Sequence, residues 1–133
     1  MILDTNALSA YLDNVPQAVG IVREAQGIAI PVLVAGEFAF GIAHSRHRAA
    51  YERSLHRMLE RCTVLEVDLE TARHYAAVRL ELNLAGSPIP ANDAWIAALS
   101  RQHATPVMSR DTHFESVNGL VLRKWLAERR QPQ

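Results

Sequence analysis

The stretch Met1-Ile2-Leu3-Asp4-Thr5-Asn6-Ala7-Leu8 decides the fold class of this chain. Its three apolar residues predict a short strand that ends abruptly at Asp4, and a helical pattern begins at Thr5. The same succession of a short apolar run and a longer helical segment recurs along the rest of the chain. Strands that alternate with helices predict a parallel sheet with helices on its faces, a three-layer α/β/α sandwich.

The pattern predicts one domain over residues 1–133, of which about 128–133 form a polar tail, because a chain of 133 residues has the usual length of a single domain. The segment 32–44 is apolar almost all round, which predicts a buried helix. The other predicted helices cover residues 5–12, 16–26, 46–61, 69–85 and 90–103, and the predicted strands cover 1–3, 28–30, 63–67, 106–108 and 119–123.

Composition limits the classes of function. Lys and Arg total 14, as do Asp and Glu, so the net charge of zero argues against attachment to nucleic acid or membrane by bulk charge alone. The single cysteine, Cys62, excludes an intrachain disulfide and indicates a reducing compartment. Because the chain also lacks a long apolar run and a basic leader, we expect a cytoplasmic protein without membrane contact.

Four carboxylates occupy unusual places in this pattern. Asp4 and Asp111 each follow a predicted strand, Asp93 lies in the first turn of a helix, and Glu37 is the only charged residue between Pro31 and Ala43. Each has an ordinary explanation: helix capping, the helix dipole, a turn, or contact with solvent. Because ligands bind beyond the carboxyl ends of parallel strands, all four converge on one cleft if the two strands are neighbours.

Such a cluster needs a cation, because carboxylates packed together repel one another unless one of them takes up a proton. Clustered oxygen ligands favour Mg²⁺ or Mn²⁺ over zinc. Either ion lowers the pKa of a bound water and offsets the charge that develops during hydrolysis of a phosphodiester. The acids therefore predict metal-assisted hydrolysis of a nucleic acid.

Four short motifs, which carry these acids in order along the chain, resemble those of the PIN domain family and, more narrowly, of the VapC group of bacterial toxins. Each motif alone is common, but the four together in this order are specific, and the resemblance covers residues 1–125. They are Asp4-Thr5-Asn6, Glu37 followed by Gly41, Asn92-Asp93 ahead of Ile96-Ala97-Ala98, and Ser109-Arg110-Asp111 with Phe114 and Gly119-Leu120.

The resemblance implies a Rossmann-like fold and an Mg²⁺-dependent endoribonuclease that acts on RNA. It also implies a cognate antitoxin, and either a homodimer or a toxin–antitoxin hetero-oligomer. By position, the metal ligands and catalytic residues would be Asp4, Glu37, Asp93 and Asp111, and the supporting polar residues would be Asn6, Asn92 and Ser109.

Residues 46–61 carry five arginines against two acids, and Arg46, Arg53, Arg57 and Arg61 share one helical stripe, of which the first three are the candidate substrate contacts. Because guanidinium groups suit phosphate, the stripe is a candidate track for the RNA backbone. An ordinary solvated face and a dock for an acidic antitoxin segment remain alternatives. Near Asp111, His113 is interpreted as a loop residue that faces solvent, with substrate contact as the alternative.

Two other functions compete with the ribonuclease. A phosphatase of the haloacid-dehalogenase type also places an Asp after its first strand, but it needs a second Asp two residues later, where this chain has Asn6. The second alternative is a non-catalytic, PIN-like regulatory module that acts in a DNA-bound complex with its antitoxin.

Overall fold

The five strands form one parallel sheet in the computed structural model, which describes residues 1–125. Numbered along the chain, the strands stand in the order β3-β2-β1-β4-β5. All four pairings between neighbours are parallel, as the alternation of strands and helices predicts. The strands are β1 (Ile2–Leu3), β2 (Ala29–Pro31), β3 (Thr63–Leu65), β4 (Val107–Met108) and β5 (Leu122–Arg123).

Helices flank this sheet and bury its apolar strands. In one group, α1 packs against α2, α3 and α4; in the other, α5 packs against α6. Ile2, Ile30 and Val107 are fully buried, which is typical of parallel strands that are covered on both faces. The helices are α1 (Thr5–Leu12), α2 (Pro16–Glu24), α3 (Val32–Gly41), α4 (Arg48–Arg61), α5 (Leu69–Leu84) and α6 (Ala91–His103), and a 3-10 helix covers Thr112–Ser116.

The strand order reverses between β1 and β4. The chain builds β2 and β3 on one side of β1 and then crosses to place β4 and β5 on the other. Leu3 in β1 is paired with Met108 in β4, so the two strands end side by side. A crevice opens at the carboxyl ends of the strands where the order reverses, and ligands of open α/β sheets bind there.

Local signals set the ends of α5 as expected. The Asp68 carboxylate accepts a hydrogen bond from the Thr71 backbone N–H at 3.0 Å, and the Thr71 hydroxyl bonds back to the Asp68 N–H at 3.1 Å. This reciprocal cap begins the helix. Gly86, with φ of +70°, follows the helix in the left-handed conformation that glycine adopts easily.

The predicted buried helix over residues 32–44 is shorter than expected and is buried on one face only. The helix α3 ends at Gly41, and while Phe38 is only 4% exposed, Phe40 is 84% exposed. The cause is that α1 and Tyr51 of α4 pack against α3 and leave part of it uncovered, so that only the face that carries Val34 and Phe38 is buried.

Other boundaries differ by a few residues. Helix α4 begins at Arg48, so Arg46 lies in the preceding loop, and β3 and β5 are shorter than predicted. The 3-10 helix after β4 was not predicted. The predicted polar tail, 128–133, lies outside the described residues. None of the helices within residues 1–125 is long and apolar enough to cross a membrane.

Candidate metal centre

Asp4 lies directly beyond β1, at the crevice between β1 and β4. It is 2% exposed and caps α1, since its Oδ1 accepts a hydrogen bond from the Ala7 N–H at 2.8 Å. Its Oδ2 accepts a hydrogen bond from the Ser109 hydroxyl. Burial raises the pKa of Asp4 to about 6, and the negative charges of Asp93 and Asp111 add to that rise. Asp4 therefore caps α1 and also lies among the clustered acids.

Ser109 joins the two strand ends. It follows β4 and is fully buried, and while its hydroxyl donates to Asp4 it accepts the Asp111 N–H at 2.9 Å. Ser109, a predicted supporting residue, thus contacts the side chain of Asp4 and the backbone of Asp111 through one hydroxyl group. Asp111 in turn caps the 3-10 helix, because its Oδ1 accepts the His113 N–H at 2.9 Å.

Asp93 approaches from α6, where it lies in the first turn. Its side chain is mostly buried, and this burial raises its pKa. The charges of Asp111 and Glu37 raise it further, while the hydrogen bond to His113 opposes the rise. The position favoured by the helix dipole therefore also brings Asp93 close to the other acids.

Glu37 reaches the same site from α3. Its Oε2 accepts a hydrogen bond from the Thr5 hydroxyl at 2.8 Å. Its Oε1 is buried and has no hydrogen-bond partner among residues 1–125. A buried carboxylate oxygen without a partner is costly, so this atom marks a place for a cation or a water.

Two residues that sequence reasoning did not assign to the site also contact the acids. Thr5 holds Glu37, and His113 places its Nδ1 at 2.9 Å from carboxylate oxygens of both Asp93 and Asp111. The hydrogen bond to Asp93 is the main reason that the pKa of His113 is raised. The only sequence signal for His113 is its position two residues after Asp111. His113 is exposed, as interpreted from the sequence, but its ring also contacts two acids of the site.

The remaining predicted residues are not joined to the acids. Asn6 and Asn92 are exposed, and neither makes a side-chain hydrogen bond within the described part of the chain. Arg46, Arg53 and Arg57 are exposed, and Arg57 lines a groove beside Ile28, the residue before β2. That groove is at the edge where the strands begin, whereas the acids lie where they end. Contact of these arginines with RNA stays a prediction.

Comparison with known proteins identifies the family. Residues 1–120 match the family described as PIN domain. The chain belongs to the PIN domain family. This PIN domain is 26% identical to ribonuclease VapC2 of Rickettsia felis over 128 residues, which are 92% of this chain and 96% of that protein.

Solved structures share the fold of this PIN domain. A crystal structure of VapBC2 from Rickettsia felis, bound to a DNA fragment from its promoter, matches with a TM-score of 0.83 at 22% identity, covering 93% of this chain and 97% of that one. DNA-bound VapBC from Salmonella typhimurium matches with a TM-score of 0.82 at 23% identity, covering 94% and 97%. These matches confirm the predicted α/β architecture.

The donor set of this PIN domain fits a divalent cation. Asp93, Asp111 and His113 each offer a ligand atom, and the three atoms lie within 4.8 Å of one another. The unpartnered Glu37 Oε1 points to missing positive charge. Burial and, to a smaller extent, repulsion from the neighbouring acids raise the pKa of Asp4 and Asp93, so both carboxylates would also gain from a nearby cation. Carboxylate oxygens are the ligands that Mg²⁺ and Mn²⁺ prefer.

Proposed function

We propose that this PIN domain is a divalent-metal-dependent endoribonuclease and the toxin of a VapBC-type toxin–antitoxin pair. The observation that carries the proposal is the convergence of four carboxylates at the strand-order reversal between β1 and β4. The relative named ribonuclease VapC2, which aligns over nearly the whole chain, supports RNA as the substrate. The VapBC complexes that share the fold support an antitoxin as the partner.

Asp4, Glu37, Asp93 and Asp111 would hold the ion, Mg²⁺ or Mn²⁺. When bound, the ion lowers the pKa of the attacking water and offsets the negative charge that develops at the phosphate. The protein's part is to place the carboxylates. Ser109 and the Ala7 N–H fix both oxygens of Asp4. Thr5 fixes one oxygen of Glu37, and the other oxygen is buried with no hydrogen-bond partner among the described residues.

Asn6 and Asn92 have a more distant role in this proposal. Each is exposed and adjoins an acid of the site in sequence, and each would act as a supporting polar residue of the site without holding the ion itself. The four acids and Ser109 are then the inner group, and the two asparagines are polar neighbours at its border.

An RNA-cleavage assay with matched variants tests the proposal. We expect cleavage with Mg²⁺ or Mn²⁺ that stops on chelation, and a loss of at least about 100-fold for Asp4→Asn or Asp93→Asn, because direct ligands should matter at least as much as the groups that orient them. Asp13→Asn is the matched control, since Asp13 is exposed at the end of α1. Cleavage that survives chelation, or either site substitution, contradicts the proposal.

The same assay separates the enzyme from a regulatory module. The chain is purified in complex with the antitoxin encoded beside it, and the partner is then removed. A toxin gains nuclease activity when its partner leaves. A tight stoichiometric complex that yields no activity after removal, in a chain that still folds and binds the ion, favours the non-catalytic alternative.

A further inference from the structure

The side chain of His113 is partly exposed, yet its ring lies within contact distance of both Asp93 and Asp111. Its Nδ1 is 2.9 Å from Asp93 Oδ2 and 2.9 Å from Asp111 Oδ1. A neutral or protonated imidazole carries at most one hydrogen on this nitrogen, so it can direct a linear hydrogen bond at only one of the two oxygens. When Nδ1 carries no hydrogen, its lone pair is free to bind a cation that the two carboxylates share.

The local chain holds the ring in this place. The His113 N–H is bonded to Asp111, whose own N–H is bonded to Ser109. The next residue, Phe114, is fully buried and anchors the 3-10 helix in the core. The backbone of His113 is therefore fixed on both sides, while its side chain remains 46% exposed.

The separations suit three ligands of one ion. Adjacent ligands of an octahedral ion with bonds of about 2.1 Å stand about 3 Å apart. The two distances from the Nδ1 atom match that spacing, and all three donor atoms lie within 4.8 Å of one another. The buried, unpartnered Glu37 Oε1 is independent evidence that a cation belongs here.

We propose that His113 is a further ligand of the divalent ion, binding through Nδ1 beside Asp93 and Asp111, and that it makes the site prefer Mn²⁺ to Mg²⁺. Imidazole nitrogen is a good ligand for first-row transition metals, whereas Mg²⁺ is bound through oxygen. The inference rests on the proposed metal-dependent function and deepens it, because it names the residue that determines which ion is selected.

Electron paramagnetic resonance of the Mn²⁺-loaded protein tests this directly. Mn²⁺ is titrated to measure affinity, and pulsed spectra report the magnetic coupling of a coordinated ¹⁴N nucleus. We expect ¹⁴N coupling in the wild type, its loss in His113→Gln, and a fall in Mn²⁺ affinity of about 10-fold or more in that variant. Mg²⁺ affinity, measured by competition, should change less.

Three further variants complete the design. His103→Gln is the matched control, because His103 ends α6, about 15 Å along the helix from Asp93 at 1.5 Å per residue. It should keep both the coupling and the affinity. Asp93→Asn should lose Mn²⁺ binding. Circular dichroism checks that each variant is folded, and His113→Ala repeats the test with a side chain that has no donor atom.

The outcomes separate the two proposals. Mn²⁺ bound in an Asp93-dependent way without ¹⁴N coupling in the wild type overturns the ligand role of His113 and leaves the carboxylate site intact. Coupling that persists in His113→Gln also overturns it. A wild-type protein that binds no Mn²⁺ overturns the metal-dependent function itself.

Discussion

Asp4 both caps helix α1 and belongs to the cluster of acids, two roles that the sequence presents as alternatives. One oxygen caps α1 and the other accepts the Ser109 hydroxyl, so the carboxylate is fully held before any ligand is present. The cost of this arrangement is burial beside Asp93 and Asp111, which is visible in the raised pKa of Asp4. The residue that caps α1 is thus also a carboxylate whose charged form is disfavoured by its surroundings.

The raised pKa makes stability depend on pH. Burial moves the pKa of Asp4 from 3.8 to about 6, so the folded protein binds this proton more tightly than the unfolded chain does. The resulting stabilisation is complete below pH 3.8 and is lost as pH rises through about 6. Without divalent ions, the free energy of unfolding of Asp4→Asn relative to wild type should rise by roughly 2 kcal/mol between pH 4 and 7.

Urea unfolding across this pH range measures the effect. Asparagine caps helices as well as aspartate does, so the substitution should keep α1 intact. Asp13→Asn, at an exposed site, should follow the wild-type curve. If Asp4→Asn and wild type give parallel curves, Asp4 does not carry a raised pKa.

Some site residues are placed by the strand pattern of the sequence, whereas the residues that the sequence did not assign to the site are placed by the packing of helices. Asp4, Ser109 and Asp111 follow strands, so the sequence pattern alone places them at the end of the sheet. Thr5 and His113 gain their roles only when α3 and α6 bring Glu37 and Asp93 against them. No local pattern encodes that approach, because it depends on how the helices pack on the sheet.

At the scale of elements, α3 is the clearest failure of a local pattern. An apolar composition predicts burial, but composition does not report how many neighbours a helix has. Phe38 packs edge-on against Tyr51, with ring centroids 5.8 Å apart, whereas Phe40 lies on the uncovered face. The caps of α1 and α5, by contrast, were predictable, since a cap is a contact between residues close in sequence.

The two phenylalanines provide a matched pair for a test. Phe38→Ala should lower the free energy of unfolding by about 3–5 kcal/mol, because it opens a cavity in the core. Phe40→Ala should change it by no more than about 0.5 kcal/mol, as exposed positions usually do. Urea unfolding of both variants under one condition gives the comparison. Equal losses would mean that α3 is covered on both faces.

At the scale of the whole molecule, the sequence predicts a parallel sheet but not the order of its strands. Strands of two or three residues carry too little pattern to specify their neighbours. The pairing of β1 with β4 is the decisive fact, because it turns two acids that are distant in sequence into neighbours. Only the resemblance to PIN domains anticipated that arrangement.

The fold gathers negative charge at one end of the sheet, and we infer that a divalent cation balances it. Repulsion among the acids should lower the free energy of unfolding of the ion-free protein, and binding of the divalent ion should raise it again. At an ion concentration of 100 times the Kd, linkage predicts about 2.7 kcal/mol of stabilisation.

Thermal unfolding at constant ionic strength, with and without Mg²⁺ or Mn²⁺, tests this claim most directly. Wild type should gain several degrees in Tm on addition of the ion. Asp93→Asn should unfold at a higher temperature than wild type without the ion and gain little from it. If the ion leaves the Tm of wild type unchanged, or raises that of Asp93→Asn by the same amount, the four acids are not a cation site.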